Sequence, residues 1–260
     1  MNNPLRHLWA NNGVALNGWL HIPSGFSAEV MARAGYHSLT IDMQHGLADY
    51  AAAVAMLQGM SPMSVVPLAR VPWNEPGLIM RMLDAGCLGI ICPMINNRAE
   101  ATAFVEACRY PPHGYRSYGP TRVALLHGND YPEHAERMVL TFAMIETAEA
   151  YRNVEAIVTT PGLDAIYVGP ADLSISLGLA TRADFNDPAL LEAVDTIFAA
   201  AQRHGIIAGI HTNHPAEATA LIARGAQFVT IGSDAQILAA AARSIIQTIS
   251  GQAGDGSIAY

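Results

Sequence analysis

The sequence predicts an α/β fold, a (β/α)8 TIM barrel, on three observations. Eight short apolar runs alternate with helix-like segments; 260 residues accommodate eight such units with no Pro/Gly/Ser-rich or charged linker; and polar side chains gather at the C-terminal ends of the runs. Each parallel crossover needs a helix, and eight strands close the sheet on itself. The expected organisation is a single barrel domain over residues 1–250, followed by a loose tail over residues 251–260.

The elements follow in order. After a short N-terminal helix, Ala15–Ile22 reads as the first strand and Ser27–Ala34 as its helix, with Ser24 or Ser27 as N-cap. Ser38–Gln44 and Asp49–Met60 form the second unit, Ser64–Val71 and Glu75–Leu83 the third, and Gly89–Ile95 and Arg98–Cys108 the fourth. Gly35 and Gly86 stand where left-handed C-terminal caps belong. From Tyr110 to Arg137 the alternation lapses into turn formers and polar aromatics, which reads as a long functional loop. Leu140–Glu146 and Ala148–Val158 resume the pattern, then Asp164–Val168, a loop to Phe185 and the helix Pro188–His204. Ile206–His211, Pro215–Ala223, Phe228–Gly232 and Ala235–Ile249 complete it.

Composition narrows the partners. A formal charge of −8 disfavours nucleic acid and anionic membrane surfaces, both of which reward a basic face, and leaves a small molecule as the expected ligand. Hydrophobic residues make up 51% of the chain, but every apolar run is interrupted before the length of a membrane span, so the excess fits a buried parallel sheet and an oligomer interface. The N-terminus carries no signal-peptide pattern, which makes the cytoplasm the expected location. Three cysteines without C-x-x-C spacing read as buried thiols. All fourteen basic residues are arginine, so Schiff-base chemistry, pyridoxal-phosphate attachment and P-loop phosphate binding lack the amine they need, and no organic cofactor is indicated.

In such barrels the reactive groups stand at the carboxyl ends of the strands. Here those ends offer Trp19, His21, Asp42, His45, Arg70, Met94, Glu146, Asp172, His211, Ser233 and Asp234. Glu146 and Asp172 lie 26 residues apart, about one strand–helix repeat, which puts them on neighbouring strands. They either cap the helices that follow or hold a divalent ion; oxygen-only ligation suits Mg2+, Mn2+ or Co2+ better than zinc. Arg70, ending S-V-V-P-L-A-R, either binds a substrate oxygen or pairs with an acid of the rim. His45 in I-D-M-Q-H-G is a general-base candidate tuned by Asp42, or a surface residue. His211 and His214 in H-T-N-H read as a polar pocket rim rather than metal ligands, and Asp234 in I-G-S-D opposes phosphate binding. Gly169 in V-G-P-A-D permits close backbone approach, with the amides after it suited to a small carboxylate. On spacing alone Asp84 is an ordinary helix-end acid.

The motifs I-D-M-Q-H-G, P-L-A-R-V-P-W, R-M-L-D-A-G, R-Y-P-P-H-G-Y-R-S-Y-G, M-I-E-T and V-G-P-A-D-L-S, in this order from Gly18 to Ile249, resemble the HpcH/HpaI aldolase family. The resemblance implies a class II, metal-dependent pyruvate aldolase on a barrel with a domain-swapped terminal helix, assembled as a homohexamer, a trimer of dimers. It implies Glu146 and Asp172 as metal ligands, Arg70 as the group that stabilises the enolate, and His45 as the acid/base with Asp42 and Asp84 associated. It also implies Gly169, Pro170 and Ala171 as the backbone receiving the donor carboxylate, with Trp19 beside the pocket. Two departures bear on substrate choice: Met144 stands where many relatives carry Gln, and H-T-N-H-P, with His211, replaces an apolar stretch. Hydroxypyruvate therefore stands beside pyruvate as an expected donor. Oxaloacetate decarboxylation, a non-catalytic acid-binding barrel and a phosphosugar isomerase are the competing readings.

Overall fold

The computed structural model describes residues 2–179 and 183–250. In chain order its elements are α1 (Pro4–Ala10), β1 (Ala15–Leu20), α2 (Gly25–Ala32), β2 (Ser38–Asp42), α3 (Tyr50–Met60), β3 (Val66–Arg70), α4 (Pro76–Ala85), β4 (Gly89–Cys92), α5 (Arg98–Cys108), α6 (Thr121–His127), α7 (Tyr131–Met138) and β5 (Leu140–Ile145). They continue with α8 (Ala148–Arg152), α9 (Val154–Val158), β6 (Ala165–Val168), α10 (Pro170–Ser176), α11 (Pro188–Arg203), β7 (Ile207–Thr212), α12 (Pro215–Ala223), β8 (Phe228–Ser233) and α13 (Asp234–Ser250). The eight strands pair in parallel in sequence order, and β8 returns to β1 to close the barrel. The expected tail at 251–260 lies outside the described residues. Among the described residues no helix is long and apolar enough to cross a membrane.

The strands read as unbroken apolar runs because both of their faces are covered. Leu39, Ile41, Ile90, Cys92, Ile166 and Val168 pack outward beneath the helices, while Leu68, Ile91, Leu140, Phe142, Tyr167 and Phe228 fill the barrel. Burial of each large side chain contributes roughly 1.5–3 kcal/mol. Helix α1 closes the amino end of the barrel: the Trp9 ring meets Phe142 and Phe228 edge-on, both at 6.4 Å, and its indole N–H donates to Gln227 O at 3.0 Å. Asn3 ties the helix down by donating to Leu88 O and Met138 O. The barrel's carboxyl rim is therefore where its polar groups meet solvent.

Three expectations about connections change. The stretch 110–137 is not one loop, because it carries α6 and α7; α7 buries Tyr131, Ala135 and Met138 at helical spacing, which the flanking Pro and Gly residues obscured. The helix after β5 is split at Asn153, whose side-chain N–H donates to Asn96 O at 2.8 Å. After β6 the chain enters α10 at once, with Pro170 in the first turn, where its missing N–H costs nothing. Of the two serines offered as caps, Ser24 caps α2 by accepting Ser27 N–H. Gly86 ends α4 at φ +111°, as a left-handed cap.

Candidate active site

The rim is organised by Asp42 and Arg70, which face each other in the β2–β3 register at the last residue of each strand. Arg70 Nε and Nη2 donate to the two Asp42 oxygens at 2.9 and 2.7 Å, a bidentate pair with Asp42 fully buried. Asp42 Oδ1 also accepts the backbone N–H groups of Gln44 and His45, and Oδ2 meets His21 Nε2 at 3.0 Å. Burial pushes the Asp42 carboxyl up, but hydrogen bonds from His21 and Arg70, with the charge of Arg70, hold it well below the usual carboxylate range. Asp42 thus stays ionised and fixes the guanidinium.

Trp19 lies beneath this pair. Its ring is 4.9 Å from Arg70 Cζ, stacks on Tyr167 at 5.8 Å and meets the edge of His211 at 5.1 Å. Below it a polar layer crosses the barrel: Asn17 accepts from Ser38 and Thr40 and donates to Thr230, which also receives the Tyr167 hydroxyl at 2.7 Å. Tyr167 and His211 Nδ1 are 3.1 Å apart. Burial, then the charge of Arg70, pushes the His211 imidazole down to about 3.

Glu146 follows β5 and is buried. Its Oε1 accepts Met94 N–H at 2.7 Å, and Met94 is held in the left-handed region, φ +56°, to aim that donor. Burial raises the Glu146 carboxyl to about 7, helped by the negative charge of Asp172 and opposed by the Met94 hydrogen bond and Arg70. Gly169 makes room for it, since a Cβ there would stand 2.6 Å from Oε2 and 3.0 Å from the Met144 methyl. Asp172 is exposed in the first turn of α10. A buried carboxylate whose proton affinity is raised by burial and by the nearby charge of Asp172, with a cradle left open by glycine, fits a divalent cation. Among the described residues no group of three or more His, Cys, Asp or Glu could hold such an ion, so a cation bound here would draw on these two carboxylates and complete its shell with water or substrate.

The remaining residues disperse. The His45 side chain is exposed, and Asp42 holds its backbone N–H rather than its ring; the imidazole in contact with Asp42 is that of His21. Asp84 is not brought to the rim. It ends α4 at the barrel's opposite end, where Arg116 Nη2 donates to it at 2.6 Å. His211 lies inside the barrel whereas His214 is the N-cap of α12, so the two do not converge. Asp234 accepts from His21 N, Ile22 N and Ser27 Oγ, fastening the β1–α2 loop to α13 and filling with negative charge the place a phosphate would need. Spacing did not reveal the His21 contact. The polar layer had a signal, since Asn17, Thr40, Tyr167 and Thr230 share the inward phase of their strands.

The closed barrel and its charged rim define the chain as an α/β-barrel enzyme. It belongs to the HpcH/HpaI aldolase/citrate lyase family, whose model matches residues 19–241. A hydroxypyruvate/pyruvate aldolase of Rhizorhabdus wittichii is 38% identical over 244 residues, covering 94% of this chain and 97% of that one. A 5-keto-4-deoxy-D-glucarate aldolase of Shigella dysenteriae is 32% identical, covering 95% and 96%. A crystal structure of a family member from Burkholderia cenocepacia superposes with a TM-score of 0.90 at 31% identity, covering 96% of this chain and 100% of that one.

Proposed function

We infer that the chain is an aldolase, a carbon–carbon lyase that joins the enolate of pyruvate or hydroxypyruvate to an aldehyde and cleaves the resulting 4-hydroxy-2-oxo acid. The observation that carries this reading is the Arg70–Asp42 pair, a buried guanidinium fixed on one side and placed across the rim from paired carboxylates. The aldolase relatives favour this over decarboxylation or a phosphosugar role.

Each residue has a part. Asp42 occupies Arg70 Nε and one Nη2 donor, which leaves the Nη1 face of the guanidinium for the keto oxygen of the donor, where negative charge develops as a C3 proton leaves. The amides of Ala171 and Asp172, in the helical turn begun by Gly169 and Pro170, have no intrahelical acceptors and receive the donor carboxylate. Trp19 and Met144 wall the pocket and exclude water from the carbanionic carbon. His45, on the exposed loop beyond β2, carries the proton. The family is metal-dependent; a divalent ion held by Glu146 and Asp172 (Mg2+, Mn2+ or Co2+) supplies Lewis-acid polarisation of the keto oxygen. Asp84, committed to Arg116, takes no part within one chain.

Deuterium exchange into the pyruvate methyl group, followed by proton NMR, tests the reading without knowledge of the aldehyde. Exchange is expected with added Mg2+ or Mn2+, and neither in chelator nor in Glu146→Gln. Absence of exchange with both pyruvate and hydroxypyruvate, with metal bound, overturns it.

We also propose that the chain assembles as a homohexamer through α13. This helix buries only Asp234, while Ile237, Leu238, Ile245, Ile246 and Ile249 stay exposed, an apolar face that suits exchange with a neighbouring copy. Ile245→Asp with Ile249→Asp should lower the mass measured by light scattering; an unchanged mass refutes this.

A further inference from the structure

We propose that His211 reads a hydroxyl on the third carbon of the donor, accepting its proton at Nε2, so that the site favours a 3-hydroxy-2-oxo acid over its 3-deoxy counterpart. The proposal rests on the aldolase reading and deepens it.

The polar layer favours one tautomer. Asn17 Oδ1 is filled by Ser38 Oγ at 2.8 Å and Thr40 Oγ1 at 3.1 Å, which orients its amide to donate to Thr230 Oγ1 at 3.0 Å. Tyr167 has one proton and directs it to Thr230. The 3.1 Å contact between Tyr167 and His211 is then filled by Nδ1–H donating to the phenol oxygen, and Nε2 is left as a bare lone pair. Burial and the Arg70 charge keep the ring neutral through the working pH range, so that lone pair is retained. Tyr167 is wholly buried, whereas His211, one residue before the end of β7, keeps part of its surface open, and its far nitrogen faces away from Tyr167.

The position matches a donor's reach. The Trp19 indole is the shared neighbour, 4.9 Å from the guanidinium carbon of Arg70 and 5.1 Å from the centre of the imidazole. The two distances place the guanidinium carbon and the imidazole centre no more than about 10 Å apart, and a keto oxygen and a C3 hydroxyl about 3 Å from each other, with a hydrogen bond of about 2.8 Å at each end, bridge Arg70 and His211 within that limit. A methyl group leaves Nε2 unpaired there, while a hydroxyl satisfies it. Sites built to bond a hydroxyl discriminate against analogues that lack it.

The test compares initial rates of deuterium exchange at C3 of pyruvate and of hydroxypyruvate, corrected for the enzyme-free rate, with Mg2+ added. The proteins are wild type, His211→Leu, His211→Gln and Tyr167→Phe, each checked for folding by circular dichroism. In His211→Leu the ratio of kcat/KM for hydroxypyruvate to that for pyruvate should fall by about tenfold. His211→Gln, which returns an acceptor near the Nε2 position, should recover much of the ratio, and Tyr167→Phe, which frees the tautomer, should lower it in the same direction. A ratio unchanged in His211→Leu overturns the proposal and leaves the aldolase reading standing. A wild-type protein that exchanges neither donor overturns both.

Discussion

Replacing Glu146 by Gln should stabilise the metal-free protein while abolishing its activity. Burial holds the Glu146 carboxyl at about 7 against 4.5 for an ordinary glutamate, with the Asp172 charge contributing. The folded state therefore binds this proton more tightly than the unfolded chain. Its effect on stability is absent below about pH 4.5, grows as a loss between pH 4.5 and 7, and is constant above. At about 1.36 kcal/mol for each pH unit, the full loss is on the order of 3 kcal/mol. The amide keeps the Met94 N–H as a donor to its oxygen and carries no charge against Asp172. At pH 8 in chelator the variant should melt about 5–10 °C above wild type at equal protein concentration, and the two should converge near pH 5. Thermal unfolding by circular dichroism across this range measures the difference. Added Mn2+ should raise the wild-type midpoint and leave the variant's in place. A variant less stable at pH 8, or a difference that does not vary with pH, refutes the reasoning.

Arg70→Lys cannot make the two-pronged bond to Asp42 and presents a point charge in place of a planar fork. Pyruvate exchange should slow by roughly 100-fold or more, read as kcat by NMR. Asp42→Asn breaks a buried pair and should cost roughly 3–5 kcal/mol near pH 7 by urea denaturation. Because the Asp42 carboxyl sits below its ordinary range in the folded state, its stabilisation is present above the usual carboxylate pKa and is lost as pH falls toward the folded value. The acid limb of the variant's stability curve should accordingly be flatter. Gly169→Ala drives a methyl to 2.6 Å from Glu146 Oε2, so Mn2+ affinity by calorimetry should fall about tenfold or more with the midpoint of unfolding little changed.

The barrel was legible because its strands are buried on both faces and its helices are punctuated by caps such as Ser24 and Gly86. Glu146, Arg70 and Asp42 stood out because a charged group at the end of an apolar run has to leave the core at the rim. What stayed hidden depends on distances across the barrel. His21 reaches Asp42 through the β1–β2 pairing, in which Trp19 faces Thr40 and Leu20 faces Ile41, while the nearer residue in sequence, His45, gives Asp42 only its backbone N–H. Asp84 could not be separated from the rim acids by motif alone; its place follows from the direction of α4, which runs back toward the start of β4. Helices α6 and α7 were masked by Pro and Gly, and α7 is seated by Tyr131 against the buried Arg116, a contact no periodicity encodes.

The environment of Trp19 makes the pocket optically addressable. The chain has three tryptophans: Trp73 is largely exposed, Trp9 is sealed beneath the barrel, and Trp19 alone touches the guanidinium, phenol and imidazole of the rim. A ligand that draws on Arg70 or His211 changes the charge and polarity against that indole. With Trp9 and Trp73 each replaced by Phe, intrinsic emission reports occupancy of the donor pocket directly, so metal, donor and aldehyde can be titrated in sequence on an enzyme that is not turning over.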